Sequence, residues 1–323
     1  MVVAVSGGLD SMTLLALLAR EKAGGDDLEI VAAHFDHGAR AREGADDGRF
    51  VAAVGDRWGA RVVRGAGDAP GRARASGRGP MTAARELRYD FLCEVADDAG
   101  AWAIATAHQR DDRVETTLMR IVRGTSLDGL AGPGPIDEWR GTPVIRPLLP
   151  FSRAAIASWV RRAGVPYRED PSNEDPRYPR SRVRKEVLPL LRQLNPRIDL
   201  AVARLAEHAA ADGAWLRHET QELLDRATRS RDDAEWTLRA APLAQAPAAL
   251  LGRAVVAAWA WSAPRGSAPP GAAWIEGVVE FVRGGRGGRL AAPGGGEIRR
   301  RGAIVVVRRA QESRTGDREE STE

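Results

Sequence analysis

Three short stretches of this chain carry residues whose types and spacing suit phosphate and proton chemistry. The first is Ser6-Gly7-Gly8-Leu9-Asp10-Ser11. Adjacent glycines let backbone N–H groups turn inward, a helix starting behind them aims its positive end at an anion, and two serines add hydroxyl donors. No lysine stands at the helix start, as the loop for γ-phosphoryl transfer requires, and the glycines are too close together for the dinucleotide fingerprint. An ordinary glycine-containing turn is the plain alternative. The second stretch, His34-Phe35-Asp36-His37-Gly38-Ala39-Arg40, offers Asp36, His37 and Arg40 for hydrogen bonding to a nucleotide or substrate. With no cysteine nearby and two histidines three apart at a strand end, it argues against a dedicated transition-metal site. The third, residues 105–116 (ATAHQRDDRVET), supplies His108, Asp111, Asp112 and Glu115 at the start of a helix, where acidic groups also serve as plain dipole partners.

Short apolar strands alternating with helical patterns must position these stretches, and that alternation is the mark of a parallel sheet flanked by helices. Strands are expected at 2–5, 28–36, 61–63, 102–106 and 144–146, and helices at 11–21, 42–58, 82–99, 111–123 and 152–163. Ligands of open α/β sheets bind outside the carboxyl ends of the strands, so the second stretch should converge on the first. On the helix 111–123, spacing places Val114, Leu118 and Ile121 on an inward face and Asp112, Thr116, Arg120 and Arg123 opposite them. Residues 65–80 show no periodicity and read as a mobile surface loop. A proline-punctuated basic stretch, 176–196, reads as a connector, followed by helices at 198–228, 248–261 and 272–283 and a hairpin at 289–292 and 297–308. The expected fold is α/β, a Rossmann-like parallel sheet with a second, smaller and mostly helical domain: 1–185 catalytic, 186–310 accessory, and 311–323 a disordered tail.

Composition sets the outer limits. The 323 residues leave room for two domains, the 43% hydrophobic content rules out a largely disordered chain, and no apolar run approaches the ~20 residues of a membrane span. No signal peptide is legible, so a cytoplasmic protein without a membrane partner is expected. Cys93 is the only cysteine, which excludes an internal disulfide and a cysteine-based zinc site. It lies in a helical pattern where Leu92, Val95 and Ala96 share a face, as a buried, inert thiol would. Lys22 and Lys185 are the only lysines among 48 basic residues, so the positive charge is guanidinium, suited to phosphates and base stacking but also what a GC-rich genome produces.

The SGGLDS loop resembles that of the ATP pyrophosphatase (PP-loop) superfamily, whose members cleave ATP between the α- and β-phosphates. In order along the chain, HFDHGAR, TAARELRYDFL (82–92), ATAHQRDDRVETTLMRIVRGTSLDGLAG (105–132), RPLL (146–149), EDPSNEDPRYPRSRVRKEVLP (169–189) and a glycine-rich segment at 287–296 make the resemblance specific. The chain is similar to the tRNA(Ile)-lysidine synthetases. That family uses ATP to adenylate C2 of the wobble cytidine of a CAU anticodon, and the ε-amine of free lysine then displaces AMP, a carbon–nitrogen ligation.

The resemblance implies an N-type ATP pyrophosphatase fold, ATP and Mg²⁺ as cofactors, and tRNA(Ile) and L-lysine as partners; a homodimer is compatible with it. It puts Ser6, Gly7, Gly8, Leu9, Asp10 and Ser11 on ATP. It makes Asp36, His108, Asp111, Asp112, Glu115 and Arg85 catalytic candidates, with Asp111 and Asp112 as Mg²⁺ ligands. Arg88 joins Arg85 as a phosphate or tRNA contact. Arg120, Arg123, Arg180, Arg182 and Arg184 would touch tRNA, and Asp170, Ser172 and Asn173 match the family's DPSN motif; each arginine also reads as an ordinary solvated or capping charge. The sequence departs from the family in three places. Ser181 stands where an asparagine is usual; Met1 abuts the first strand, so a truncated start is expected; and the chain ends too early for the family's extra C-terminal domain, so a short form is expected. Rival readings are another PP-loop enzyme that modifies tRNA or amidates a nucleotide, and a non-catalytic ATP-holding RNA-binding protein.

Overall fold

The computed structural model of the chain describes every residue except 26, 39–40, 78, 170–178, 265 and 311–323, and for 41–45 the backbone alone. Two compact units follow one another, Met1–Ala210 and Ala211–Glu323. The first runs β1 (Val2–Ala4), α1 (Leu9–Ala23), β2 (Val31–Asp36), α2 (Ala41–Arg57), β3 (Arg61–Ala66), α3 (Ala69–Ser76), α4 (Pro80–Asp98), β4 (Ile104–Ala105), α5 (Arg110–Arg123), α6 (Leu127–Leu130), β5 (Ile136–Trp139), β6 (Thr142–Ile145) and α7 (Arg153–Ala163). A further helical stretch begins as α8 (Pro179–Arg182), widens into a π-helical turn at Val183–Val187 and tightens again as α9 (Leu188–Leu194). The long α10 (Ile198–Ala227) contains the boundary between the units.

The six strands of the first unit lie in the order β3-β2-β1-β4-β6-β5, all parallel except β5, which runs antiparallel to β6 at the edge. Helices cover both faces, which is why the strands read as near-continuous apolar runs. On one side Val3, Val5 and Ala32 pack with Met12 and Leu15 of α1, Val51 of α2 and Ile156 of α7. On the other, Val2, Val31 and Ile104 pack with Tyr89 and Leu92 of α4. Each such side chain contributes about 1.5–3 kcal/mol on burial, so apolar anchoring on both faces holds the short strands level. Because β1, β2 and β4 are parallel neighbours, the three stretches that follow them emerge at one edge of the sheet.

Where the structure departs from the sequence expectation, local chemistry explains it. The loop expected at 65–80 contains α3, started by the Asp68 carboxylate accepting the Gly71 N–H at 2.8 Å and ended by Gly77 at φ 65°. The β5–β6 hairpin was absent from the expectation because its turn is Arg140-Gly141, with both residues at positive φ (51° and 87°), rather than the usual Asn-Gly. Asp90 fastens that turn, accepting from Trp139 Nε1 at 3.3 Å and from Arg140 Nη2 at 3.0 Å. Ile121, expected to pack inward, is 46% exposed. The buried face of α5 is instead largely polar, comprising Arg113, Val114, Glu115 and Thr117.

The second unit continues with β7 (Thr228–Arg231), β8 (Glu235–Arg239), α11 (Ala240–Gln245), α12 (Ala248–Ser262), α13 (Ala272–Arg283), β9 (Gly288–Ala291), β10 (Glu297–Arg301) and β11 (Ile304–Arg308). Its sheet is antiparallel, in the order β7-β8-β11-β10-β9. Alternate residues Trp236, Leu238, Ile298, Val305 and Val307 share a core with Leu251 and Val255 of α12 and Val278 of α13. The expected hairpin is thus part of a five-stranded sheet, and 297–308 is two strands because Gly302, at φ 58°, lets the chain reverse. Among the described residues no helix is long and apolar enough to cross a membrane.

Candidate active site

The chain leaves β1 through a loop that its own serines pre-shape. Gly7 sits at φ 90°, a conformation that L side chains rarely adopt, and Gly8 turns back to extended geometry as the residue before α1. Ser11 Oγ donates to the Gly8 carbonyl at 3.0 Å and accepts from the Ser6 N–H at 3.2 Å, while the two serine hydroxyls lie 3.1 Å apart. The loop is also braced from outside. The Arg168 N–H donates to the Gly7 carbonyl at 2.9 Å, and Arg168 Nε pairs with Asp47 of α2 at 2.7 Å.

In front of the loop lies a cavity of about 320 Å³, lined by all three sequence stretches. Ser6, Asp10 and Ser11 come from the first, Asp36 and His37 from the second, and Thr106, His108 and Asp112 from the third; α4 adds Arg88. Asp10 is strongly disturbed by its surroundings. Its Oδ1 is buried with no partner among the described residues, and burial pushes its pKa up to about 6, with Asp112 and Asp111 adding and Arg153 and Arg184 opposing. His108 is pushed the other way, to about 3, by burial and then by the guanidinium groups of Arg146, Arg88, Arg85 and Arg180. The imidazole therefore stays neutral through the physiological range. Asp36 accepts the Gly38 N–H at 2.9 Å, which holds the turn after β2. Burial lowers the His37 pKa, with Arg88 next in effect.

Several expected site residues are committed elsewhere. Asp111 Oδ2 accepts the Arg153 N–H at 2.9 Å at the start of α7. Asp112 accepts the Gln109 N–H on one oxygen at 3.0 Å and Arg180 Nη2 on the other at 2.8 Å. Glu115 is almost completely buried, with Arg180 Nε on Oε2 at 2.7 Å and Arg184 Nε on Oε1 at 2.6 Å. These pairs fasten the helical stretch 179–194 to α5, so Arg180 and Arg184, expected on tRNA, are spent on protein carboxylates in this structure. Arg120 Nη1 donates to the Gly129 carbonyl at 2.7 Å, and buried Arg113 and Thr117 hold the neighbouring carbonyls of Ala131 and Leu130. Arg123 is exposed; Arg182 is 64% exposed and pairs with Glu186 one turn away. Arg85 and Arg88 lie over the Tyr89 ring at 4.8 and 5.4 Å. Arg40, Asp170, Ser172 and Asn173 fall outside the described residues. Cys93 is buried, its Sγ 3.6 Å from the Trp139 carbonyl, and burial raises its pKa.

Sequence reasoning missed Thr106, Asp47 and Arg168. An aspartate on an amphipathic helix reads as a solvated charge, and Arg168 lies far from the loop in sequence, so only the fold brings them to it. Thr106 lies within the third stretch, but a strand-end threonine carries no signal of its own. Among the described residues no cluster of three or more His, Cys, Asp or Glu is placed to hold a metal ion.

The family model described as the PP-loop domain matches residues 1–191. The chain belongs to the PP-loop family. Its relatives include the tRNA(Ile)-lysidine synthases of Thermotoga sp. (strain RQ2), 42% identical over 63% of this chain and 48% of that protein, and of Thermus thermophilus, 39% identical over 79% and 47%. The Bacillus subtilis (strain 168) enzyme of the same name is 33% identical over 79% of this chain and 53% of its own. The chain thus spans about half the length of the curated relatives it matches. Among solved structures, the U34-tRNA thiolase NcsA from Methanococcus maripaludis with its [4Fe-4S] cluster superposes with a TM-score of 0.53 at 18% identity, covering 64% of this chain and 70% of that one. That likeness is one of fold, and the residues matched by the PP-loop domain model include the whole of the first unit's parallel sheet.

Proposed function

We propose that this PP-loop chain ligates L-lysine to C2 of the wobble cytidine of tRNA(Ile) with a CAU anticodon, through an adenylated cytidine, releasing AMP and pyrophosphate. The observation that carries this reading is the convergence of three separate stretches, following β1, β2 and β4, on one cavity, together with the name that the relatives share. Residues 1–185 form the catalytic part and 186–310 an RNA-binding accessory part. With those substrates the chain works in the cytoplasm.

The chemistry sets demands that these residues fit. Cytidine O2 is a poor leaving group until it is adenylated, and a neutral amine can then displace AMP. Backbone N–H groups of Gly7 and Gly8 and the hydroxyls of Ser6 and Ser11 hold the phosphates at the start of α1. Arg88 and His108, also on the cavity lining, supply positive charge and a neutral polar group. Asp36 positions the lysine ammonium and accepts its proton. Mg²⁺ would fit Asp10, whose Oδ1 is buried with no partner among the described residues. Asp111 and Asp112, expected as its ligands, already hold backbone N–H groups and Arg180. Mg²⁺ binds proteins through one or two carboxylates plus substrate phosphates, and when bound it would neutralise charge developing on them.

Sulfur transfer, the chemistry named for the thiolase, needs a sulfur carrier built on several thiolates or a reactive persulfide cysteine. Cys93 stands alone in this sequence and is buried with a raised pKa. The test is pyrophosphate release on mixing the protein with ATP, Mg²⁺ and tRNA(Ile). Release should require all three and vanish in Asp10→Ala; release that persists in that variant contradicts the assignment of the loop.

A further inference from the structure

We propose that Thr106 is a positioning residue that fixes His108 in its Nε2–H form, so that the ring presents a neutral hydrogen-bond donor to an anionic oxygen bound in the cavity. Thr106 ends β4, is 4% exposed, and has its backbone N–H on the Ile145 carbonyl at 2.9 Å. Its Oγ1 lies 2.9 Å from His108 Nδ1, and both residues line the cavity. Among the described residues this is the one hydrogen bond made by the Thr106 hydroxyl and by the His108 ring.

Two hydrogen placements are open to a neutral ring beside a hydroxyl. If Nδ1 carried the proton it would donate to Oγ1, and the hydroxyl hydrogen would be left with no acceptor among the described residues. If the hydroxyl donates to a bare Nδ1, the ring proton sits on Nε2, and that N–H is the one donor of the pair left without a protein partner among the described residues. The first placement leaves both the hydroxyl hydrogen and a bare Nε2 without protein partners and the second leaves only the Nε2–H, so the second is favoured. The doubly protonated ring is disfavoured independently, by burial and by the four guanidinium groups of Arg146, Arg88, Arg85 and Arg180. The Nε2–H therefore joins Arg88 on the cavity wall as a donor that carries no charge of its own, suited to an oxygen that is anionic before or during reaction.

The form of the ring is read on the free protein, and only the identity of its ligand rests on the proposed ATP-dependent reaction. Nitrogen-15 spectra of histidine-labelled protein, with the His108 signals assigned by their loss in H108Q, should show a bare Nδ1 and a protonated Nε2 between about pH 5.5 and 8. A non-hydrolysable ATP analogue and lysine are then added separately. A shift of Nε2–H with the analogue names a phosphate oxygen as its partner, and a shift with lysine alone names the amino-acid carboxylate. T106V should mix the two ring forms and lower kcat for AMP formation about ten- to hundredfold, as loss of a ligand-orienting partner does, with KM for ATP within about twofold. T106S should restore the single ring form and most of kcat. A proton on Nδ1 in the wild type, a ring signal that responds to neither ligand, or T106S no better than T106V overturns the proposal; the first two hold even if T106V does not fold.

Discussion

Asp10→Asn should stabilise the free protein at alkaline pH while abolishing its reaction. The wild-type carboxyl is raised from 3.8 to about 6, chiefly by burial. In the folded state it therefore holds a proton across a window in which the unfolded chain has released it. Wild-type stability accordingly falls as pH rises from about 4 through about 6 and is flat above. A shift of about two units corresponds to roughly 3 kcal/mol, or nearer 2 once partial exposure is allowed for. Asparagine keeps the shape and removes the buried anion. For a unit of this size about 2–3 kcal/mol is a Tm gain of roughly 5–10 °C. The assay is paired thermal unfolding of wild type and D10N at pH 4.5, 6 and 8 without nucleotide. The gain should be about a third of its full value at pH 4.5, most of it at pH 6 and all of it at pH 8. A pH-independent difference, or a less stable D10N at pH 8, would refute the reasoning. Adding Mg²⁺ at pH 8 should narrow the gap by raising only the wild-type Tm.

Glu115→Gln removes the carboxylate shared by Arg180 and Arg184 and should destabilise the chain by roughly 2–4 kcal/mol, read as a fall in Tm, because a buried pair is broken from its buried side. Charge reversal at exposed Arg182 and Arg123 should leave Tm unchanged yet flatten the dependence of tRNA affinity on salt by about 0.7–0.9 for each phosphate no longer neutralised. Salt-independent binding would remove both from the RNA interface. Cys93→Ser should keep adenylation and transfer within a few-fold of wild type, and the native thiol should resist alkylation until the chain is unfolded. Loss of transfer with adenylation intact would count against lysine ligation.

What was legible in the sequence was what period and punctuation encode. The alternation of short apolar strands with helices pointed to the parallel sheet, and the placement of SGGLDS, HFDHGAR and ATAHQRDD after strands pointed to the edge where the three stretches line one cavity. Arg140-Gly141 hid a hairpin because arginine rarely takes positive φ, and Thr228–Arg231 hid an edge strand because its polar residues do not alternate. The commitments of the charged groups were not legible. Nothing in the run PRSRVRK separates Arg182, which faces solvent, from Arg180 and Arg184, which bond Glu115; the helical turn and its covering of α5 decide that. Nor does sequence distinguish Asp10, whose Oδ1 has no partner among the described residues, from Asp111 and Asp112, since the difference lies in which donors the fold brings within reach.

The most direct test of the central claim is mass spectrometry of the nucleosides of tRNA(Ile) after incubation with the protein, ATP, Mg²⁺ and isotopically labelled lysine, with sulfide and iron excluded. The account predicts one modified cytidine per tRNA, at the wobble position, heavier by a condensed lysine and formed with one AMP and one pyrophosphate. AMP and pyrophosphate without a lysine adduct, a product heavier by sulfur, or an unmodified tRNA would contradict it.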